Sequence, residues 1–280
     1  MSEHDQTRRQ VSESYARAVT GGGSCCGGPR APQPTPTTLA GYTSGEVAGL
    51  PDDAVASSFG CGNPVAFTEV RPGQVVVDLG SGAGIDLLLA ARKVGPTGRV
   101  GVDMTDAMIE RARANVQAAG LTNVEVRRGI IEELPVETGT VDWVISNCVI
   151  NLSPEKPRVF REIARVLRPG GRMLVSDLVV DDLPAWARAS AALYAACIGG
   201  AVGEAEYLAG LRAAGLVDVE VRDRLVYDAA QLRALAPAEL GAAAGGCGCG
   251  GGPVDDKVVA QVAGVLEGKI WSVLVHARKP

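Results

Sequence analysis

From residue 72 onward, short runs that are apolar throughout alternate with stretches whose apolar residues recur at helical spacing. Runs at 75–79, 100–103, 124–128, 141–146 and 172–178 predict strands, and stretches at 85–94, 106–119 and 156–167 predict helices. A strand apolar on both faces has to be covered on both, so the pattern predicts a parallel sheet with helices on each side. Pro96-Thr97-Gly98 and Pro169-Gly170-Gly171 predict the turns that feed the next strands. Beyond residue 183, helices are predicted over 184–196 and 204–214. Apolar runs at 217–226 and 270–276 follow, and the last is placed to close the sheet as an antiparallel pair.

The start of the chain reads differently. A weak helical period over 11–19 gives way to Gly21-Gly22-Gly23-Ser24-Cys25-Cys26-Gly27-Gly28 and a proline-rich run to Pro36. Glycine maximises chain entropy and proline blocks regular pairing, so a flexible loop is predicted. Residues 41–70 form a bridging segment that ends at a loop around Cys61. A second glycine-rich loop over 241–252 carries Cys247 and Cys249.

Composition narrows the function classes. A net charge of -5 and 4% aromatic residues argue against a nucleic-acid partner, which calls for a basic face and stacking platforms. The polar N-terminus, with no signal-like stretch and no run of roughly 18 apolar residues, predicts a cytoplasmic protein without a membrane partner. Seven cysteines, an odd number in a reducing compartment, are not read as a disulfide framework.

Two groups of residues carry candidate chemistry. The first is Val75-Val76-Val77-Asp78-Leu79-Gly80-Ser81-Gly82-Ala83-Gly84. A glycine-rich turn between strand and helix lets backbone approach a ligand, with the helix N-terminus facing it. Asp78 is placed to reach an amino group, and Asp103, about 25 residues on, to bond ribose hydroxyls. That spacing alone fits both a dinucleotide and S-adenosylmethionine. The second group is Cys61, Cys148 and Cys197, each in a separate loop segment. A lone cysteine is most often a small core residue. Yet Cys61 sits in Gly60-Cys61-Gly62-Asn63-Pro64, Cys148 follows a strand end, and Cys197 precedes Gly199-Gly200. With His4 and His276 the only histidines and no Cys-x-x-Cys pair, a zinc site is not expected, and no metal cofactor is. Thiolates are soft ligands, and three of them suit a pyramidal centre such as trivalent arsenic, which keeps a lone pair.

The glycine-rich motif, with Gly129-Ile130-Ile131-Glu132-Glu133-Leu134-Pro135 and Val166-Leu167-Arg168-Pro169-Gly170-Gly171, resembles class I S-adenosylmethionine-dependent methyltransferases. This implies an α/β fold: a Rossmann-like sheet with helices on both faces, plus N-terminal and C-terminal substrate-binding additions. The corresponding donor-binding residues are Asp78, Gly80, Ser81, Gly82, Gly84, Asp103, Met104, Ile131, Glu132 and Asn147. The cysteine motifs, including Ser146-Asn147-Cys148-Val149-Ile150-Asn151-Leu152 and Cys197-Ile198-Gly199-Gly200-Ala201, resemble arsenite S-adenosylmethionine methyltransferases from about residue 40 to 225. That resemblance implies As(III) held by Cys61, Cys148 and Cys197 and methylated in successive rounds, with S-adenosylmethionine as co-substrate. It implies arsenite, methylated As(III) or their thiol conjugates as substrates, and a thiol reductant such as thioredoxin or glutathione. Cys25 and Cys26 are the redox candidates, and the role of Cys247 and Cys249 stays open. The chain then divides into an extension with cysteine-bearing loops (1–70), a donor-binding core (71–182), and an arsenic-binding region that completes the sheet (183–280). Two rival readings remain: a methyltransferase for another small molecule such as a quinone precursor, and a non-enzymatic thiol-based arsenic or metal sensor.

Overall fold

A computed structural model of the chain describes residues 2–20, 37–38, 40–98, 100–235 and 256–280. Cys25, Cys26, Cys247 and Cys249, with the two glycine-rich loops, lie outside the described residues.

Seven strands form one sheet. They are β1 (Val76–Leu79), β2 (Val100–Asp103), β3 (Glu125–Arg128), β4 (Val141–Asn147), β5 (Leu167–Val180), β6 (Val217–Val226) and β7 (Ile270–Arg278), in the order β3-β2-β1-β4-β5-β7-β6. The pairs within the first five strands are parallel, and β7 runs antiparallel between β5 and β6. The last apolar run therefore inserts into the sheet as an antiparallel strand. The helices are α1 (Glu3–Thr20), α2 (Ser44–Val47), α3 (Asp52–Ala56), α4 (Ile85–Val94), α5 (Asp106–Ala118), α6 (Lys156–Val166), α7 (Ala185–Ala189), α8 (Ala191–Ala195), α9 (Glu204–Ala213), α10 (Ala229–Leu235) and a last helix at Asp256–Leu266.

The double-sided burial of the strands explains their unbroken apolar runs. On one face Val77, Val144 and Val175 pack with Val159, Phe160 and Ile163 of α6 and Tyr207 and Leu211 of α9. On the other, Val76, Ile145 and Leu174 pack with Ile85, Leu88 and Leu89 of α4.

Three local expectations need correction. Pro169-Gly170-Gly171 does not precede β5 but lies inside it: Leu167 pairs with Val141 and Arg172 with Trp143, so residues 168–171 bulge opposite Asp142 alone. Gly170 takes a positive φ of 75° there; its N–H donates to the Lys279 carbonyl, and the Gly171 carbonyl accepts from the Lys279 N–H. The helix expected over 184–196 breaks at Ser190, whose hydroxyl leaves the helix path to accept from the Leu193 N–H and cap α8. The first helix is also longer than its weak apolar period. Ser2 and Asp5 bond each other's backbone reciprocally, starting α1 at Glu3.

From β1 the chain moves outward through β2 to β3, then returns to the other side of β1 at β4. The loops after β1 and β4 consequently diverge and leave a crevice at their carboxyl ends. No helix among the described residues is long and apolar enough to cross a membrane.

Candidate active site

The crevice holds about 920 Å³ of empty space, its mouth included, and takes its walls from every loop that follows β1, β2, β3 and β4. Asp78, Gly80, Ser81 and Gly82 of the loop after β1 line it, with Asp103 and Met104 after β2, Ile131 and Glu132 after β3, and Asn147 and Cys148 at the end of β4. Gly84 does not line it; it caps α4 at φ 98°. Gly80 is required by close approach, since a Cβ there would stand 2.4 Å from a Val149 methyl, in a backbone already at φ 63°.

The carboxylates divide the labour. Asp103 accepts from the Gly82 N–H at 3.0 Å and the Thr105 N–H at 2.8 Å, so it braces the glycine turn against the end of β2. Burial pushes its carboxyl upward, against the pull of those bonds. Asp78 is buried, and one of its oxygens has no partner; the Ser81 hydroxyl is likewise unpartnered. Burial, and then the charges of Asp86 and Asp103, push Asp78 well above the usual carboxylate range. An unpaired acceptor beside a second buried acid fits a ligand that brings a positive charge and N–H donors. Glu132 is already engaged: it accepts from the Ser153 hydroxyl at 2.6 Å and pairs with Arg8 at 3.2 Å.

The three cysteines share one buried cluster, which Cys148 brings to the crevice. Cys61, Cys148 and Cys197 are free thiols, at most 5% exposed, in one apolar cluster with Leu152, Leu178, Ile198 and Tyr227. Cys148 contacts both of the others. Two of the thiols also have a local partner. Cys197 donates to the Cys148 carbonyl, and the Cys61 sulfur lies 3.7 Å from the Ser176 hydroxyl and 3.8 Å from that of Ser272. Among the described residues no three His, Cys, Asp or Glu side chains stand as a ready metal site. Burial, then contact with Cys197 and Cys61, raises the Cys148 thiol well above its usual range. Cys197 is also raised; its bond with Cys148 pulls it down, but burial with the charges of Asp177 and Cys61 prevails.

Several contributors were not expected from the sequence. Arg8, Val11 and Tyr15 of α1 line the crevice. The Tyr15 ring meets Phe59 edge-on at 5.3 Å, and its hydroxyl donates to the Ala195 carbonyl at 3.1 Å, beside Cys197. Asp86, in the first turn of α4, is buried on the crevice floor and accepts from the Tyr42 hydroxyl at 2.8 Å and from Asn147 at 3.0 Å. The one sequence signal for Asp86 was an acid beside a glycine turn, which reads equally well as an ordinary helix N-terminal charge.

The methyltransferase domain family matches residues 71–215. An arsenite methyltransferase from Halobacterium salinarum is 47% identical over 188 residues, which cover 62% of this chain and 48% of the relative. One from Aquipseudomonas alcaligenes is 41% identical over 156 residues, 52% of this chain and 44% of the relative. The chain thus spans about half the length of these curated relatives. The crystal structure of an arsenic(III) S-adenosylmethionine methyltransferase from Chlamydomonas reinhardtii superposes with a TM-score of 0.63 at 30% identity, covering 88% of this chain and 74% of that one. With the family matched over more than half of the chain, the chain belongs to the methyltransferase domain family, and it is similar to arsenite methyltransferases.

Proposed function

We propose that the chain transfers methyl groups from S-adenosylmethionine to trivalent arsenic held by the thiolates of Cys61, Cys148 and Cys197. One observation carries this reading: the three buried free cysteines gather in one apolar cluster, and Cys148 brings that cluster to the wall of the crevice. A core packed only for stability has no need of three thiols drawn from such distant segments.

Bound in the crevice, S-adenosylmethionine supplies an activated methyl on a positively charged sulfur. Asp78 and Asp86 offer the negative charge for its cationic end, and Asp103 with the Gly80–Gly84 turn shapes the remainder. In the cysteine cluster, each thiol exchanges with arsenite: one S–H and one As–OH become one S–As bond and water. Capture therefore breaks the Cys197 bond to the Cys148 carbonyl and turns the sulfurs toward a shared arsenic. The acceptor is the arsenic lone pair, so no residue has to remove a proton from it. Holding acceptor and donor in one cleft is worth up to about 7–11 kcal/mol of barrier in well-aligned cases. The apolar surroundings of the cysteines exclude water from the transfer.

Each transfer leaves arsenic oxidised, so further rounds require two electrons from a thiol reductant such as thioredoxin or glutathione, with Cys25 and Cys26 as the chain's own candidates. A cytoplasmic setting, which keeps such thiols reduced, suits this chemistry. Cys61 comes from residues 1–70, Cys148 from 71–182 and Cys197 from 183–280, so the three segments meet at the acceptor.

The test is incubation of the full chain with arsenite, a thiol and S-adenosylmethionine, followed by arsenic speciation. Methylated arsenicals are the expected products. Methylation of a quinone precursor with none of arsenite, or tight arsenite binding without transfer, would replace this reading with one of its rivals.

A further inference from the structure

We propose that Asn147 is a positioning residue: its amide clamps the Cys61 loop to the floor of the crevice and so sets the place of the first thiol. This inference rests on the arsenic reading for its consequence in catalysis, but not for its geometry.

Asn147 ends β4, one residue before Cys148. Its Oδ1 accepts from the Cys61 N–H at 2.9 Å and the Gly62 N–H at 3.2 Å. Its Nδ2 donates to the Gly62 carbonyl at 2.6 Å and faces the Tyr42 hydroxyl and Asp86 Oδ2, each at 3.0 Å. An amide carries two N–H donors and one acceptor oxygen, so this group is saturated without any ligand. Asn147 thus lines the crevice while its polar atoms serve the loop, which separates it from the donor-binding role expected of it from sequence.

The loop is built to accept the clamp. A Cβ on Gly60 would lie 2.2 Å from Asn147 Nδ2, and one on Gly62 would lie 2.1 Å from Ser176 Oγ. The chain on both sides of Cys61 therefore passes through a slot of glycine width between Asn147 and Ser176. On the far side the Tyr227 hydroxyl donates to the Cys61 carbonyl at 3.3 Å. This gives a physical reason for the glycines that flank Cys61 in the sequence. Through Asp86 the same amide joins the loop to the crevice floor, so the first thiol and the donor cleft share one hydrogen-bonded support.

Removal of the amide leaves the Cys61 and Gly62 N–H groups without their partner, and the loop loses its fixed position. Arsenite has three exchangeable positions and uses Cys61; monomethylated As(III) has two and is served by Cys148 and Cys197. Loss of the clamp should accordingly affect arsenite more than monomethylarsenite.

The test uses the full chain as wild type, Asn147→Ala and Gly60→Ala. The last drives a methyl into the clamp while leaving the Asn147 side chain in place. Alkylation of each cysteine by iodoacetamide, located by mass spectrometry with and without arsenite, is measured beside calorimetric binding of S-adenosylmethionine. In both variants the Cys61 rate should rise roughly tenfold or more and its protection by arsenite fall by a similar factor. Cys148 and Cys197 should stay within about twofold of wild type, and donor affinity should fall by less than the Cys61 change, because Asn147 also bonds Asp86. An unchanged Cys61 rate with weakened donor binding would overturn the clamp and make Asn147 a donor contact. Equal acceleration of all three cysteines would overturn it too, as general loosening of the fold. If arsenite protects no cysteine in wild type, the arsenic reading fails, while the Cys61 rate without arsenite still decides the role of Asn147.

Discussion

The Cys197 thiol donates to the backbone carbonyl of Cys148, and both residues hold left-handed backbone, at φ 64° and 61°. That conformation costs an ordinary L-residue roughly 1–2 kcal/mol and is usually left to glycine. Two strained cysteines in contact are hard to explain by packing, because glycine would fit both turns at lower cost. An observed strain of this kind points to a function for the side chains.

The strain has a thermodynamic signature. Cys148→Gly and Cys148→Ala both remove the thiol, but only glycine adopts positive φ freely. The glycine variant should be the more stable of the two by about 1 kcal/mol, and the same order should hold at Cys197. Denaturant midpoints measure this; alanine equal to or better than glycine would show that the left-handed turns are not maintained.

Cys148→Ser and Cys197→Ser should each abolish methylation of both arsenite and monomethylarsenite. The partly methylated substrate keeps two exchangeable positions, and these two cysteines are in contact with each other beside the crevice. Product analysis on each substrate checks this, and near-wild-type turnover in either variant would remove that cysteine from the acceptor site.

Asp103→Ala should weaken S-adenosylmethionine binding by roughly 1.5–3 kcal/mol through the loss of charge-assisted bonds. Arsenite binding should stay close to wild type, because Asp103 braces the Gly82 turn and not the cysteine cluster. Paired calorimetric titrations compare the ligands. A similar loss for both would mark a damaged fold.

Donor binding should depend on pH. Burial pushes Asp86 up to about 6, against the opposing bonds from Asn147 and Tyr42. Below that value the acid is neutral, and a cationic donor loses its counter-charge. Affinity should therefore fall as pH drops from 7 to 5, by at most about tenfold per pH unit for each proton linked. Asp78 is raised as well and sits beside Asp86, so the two titrate as a pair. Binding near pH 6 should release protons, detectable as a buffer-dependent heat. Constant affinity from pH 5 to 8 would contradict the role given to these acids.

The sheet was legible because its strands are buried on both faces and its turns carry glycine and proline. The glycine turn and the Cys61 and Cys197 loops were legible because glycine neighbours mark them as loops, and Cys148 because it follows a strand end. What escaped depends on contacts distant in sequence. The reach of α1 over the crevice is held by Arg8 on Glu132 and Tyr15 on Ala195, which no local period reports. The break at Ser190 required knowing that its hydroxyl caps α8 and does not face water. Asp86 escaped because its setting comes from distant residues, the Tyr42 hydroxyl and the Asn147 amide. Asn147 is expected in donor binding by resemblance, and the bonds its amide makes to the Cys61 loop join residues far apart in sequence.

The central claim is that arsenic binds to the sulfurs of Cys61, Cys148 and Cys197. Arsenic X-ray absorption on the full chain loaded with one equivalent of arsenite counts those sulfurs directly. Three sulfur neighbours are expected in wild type, two in Cys61→Ser, and none retained at this site in the triple Cys61→Ser, Cys148→Ser, Cys197→Ser variant. Oxygen coordination in wild type, or three sulfurs persisting in the triple variant, would contradict the account.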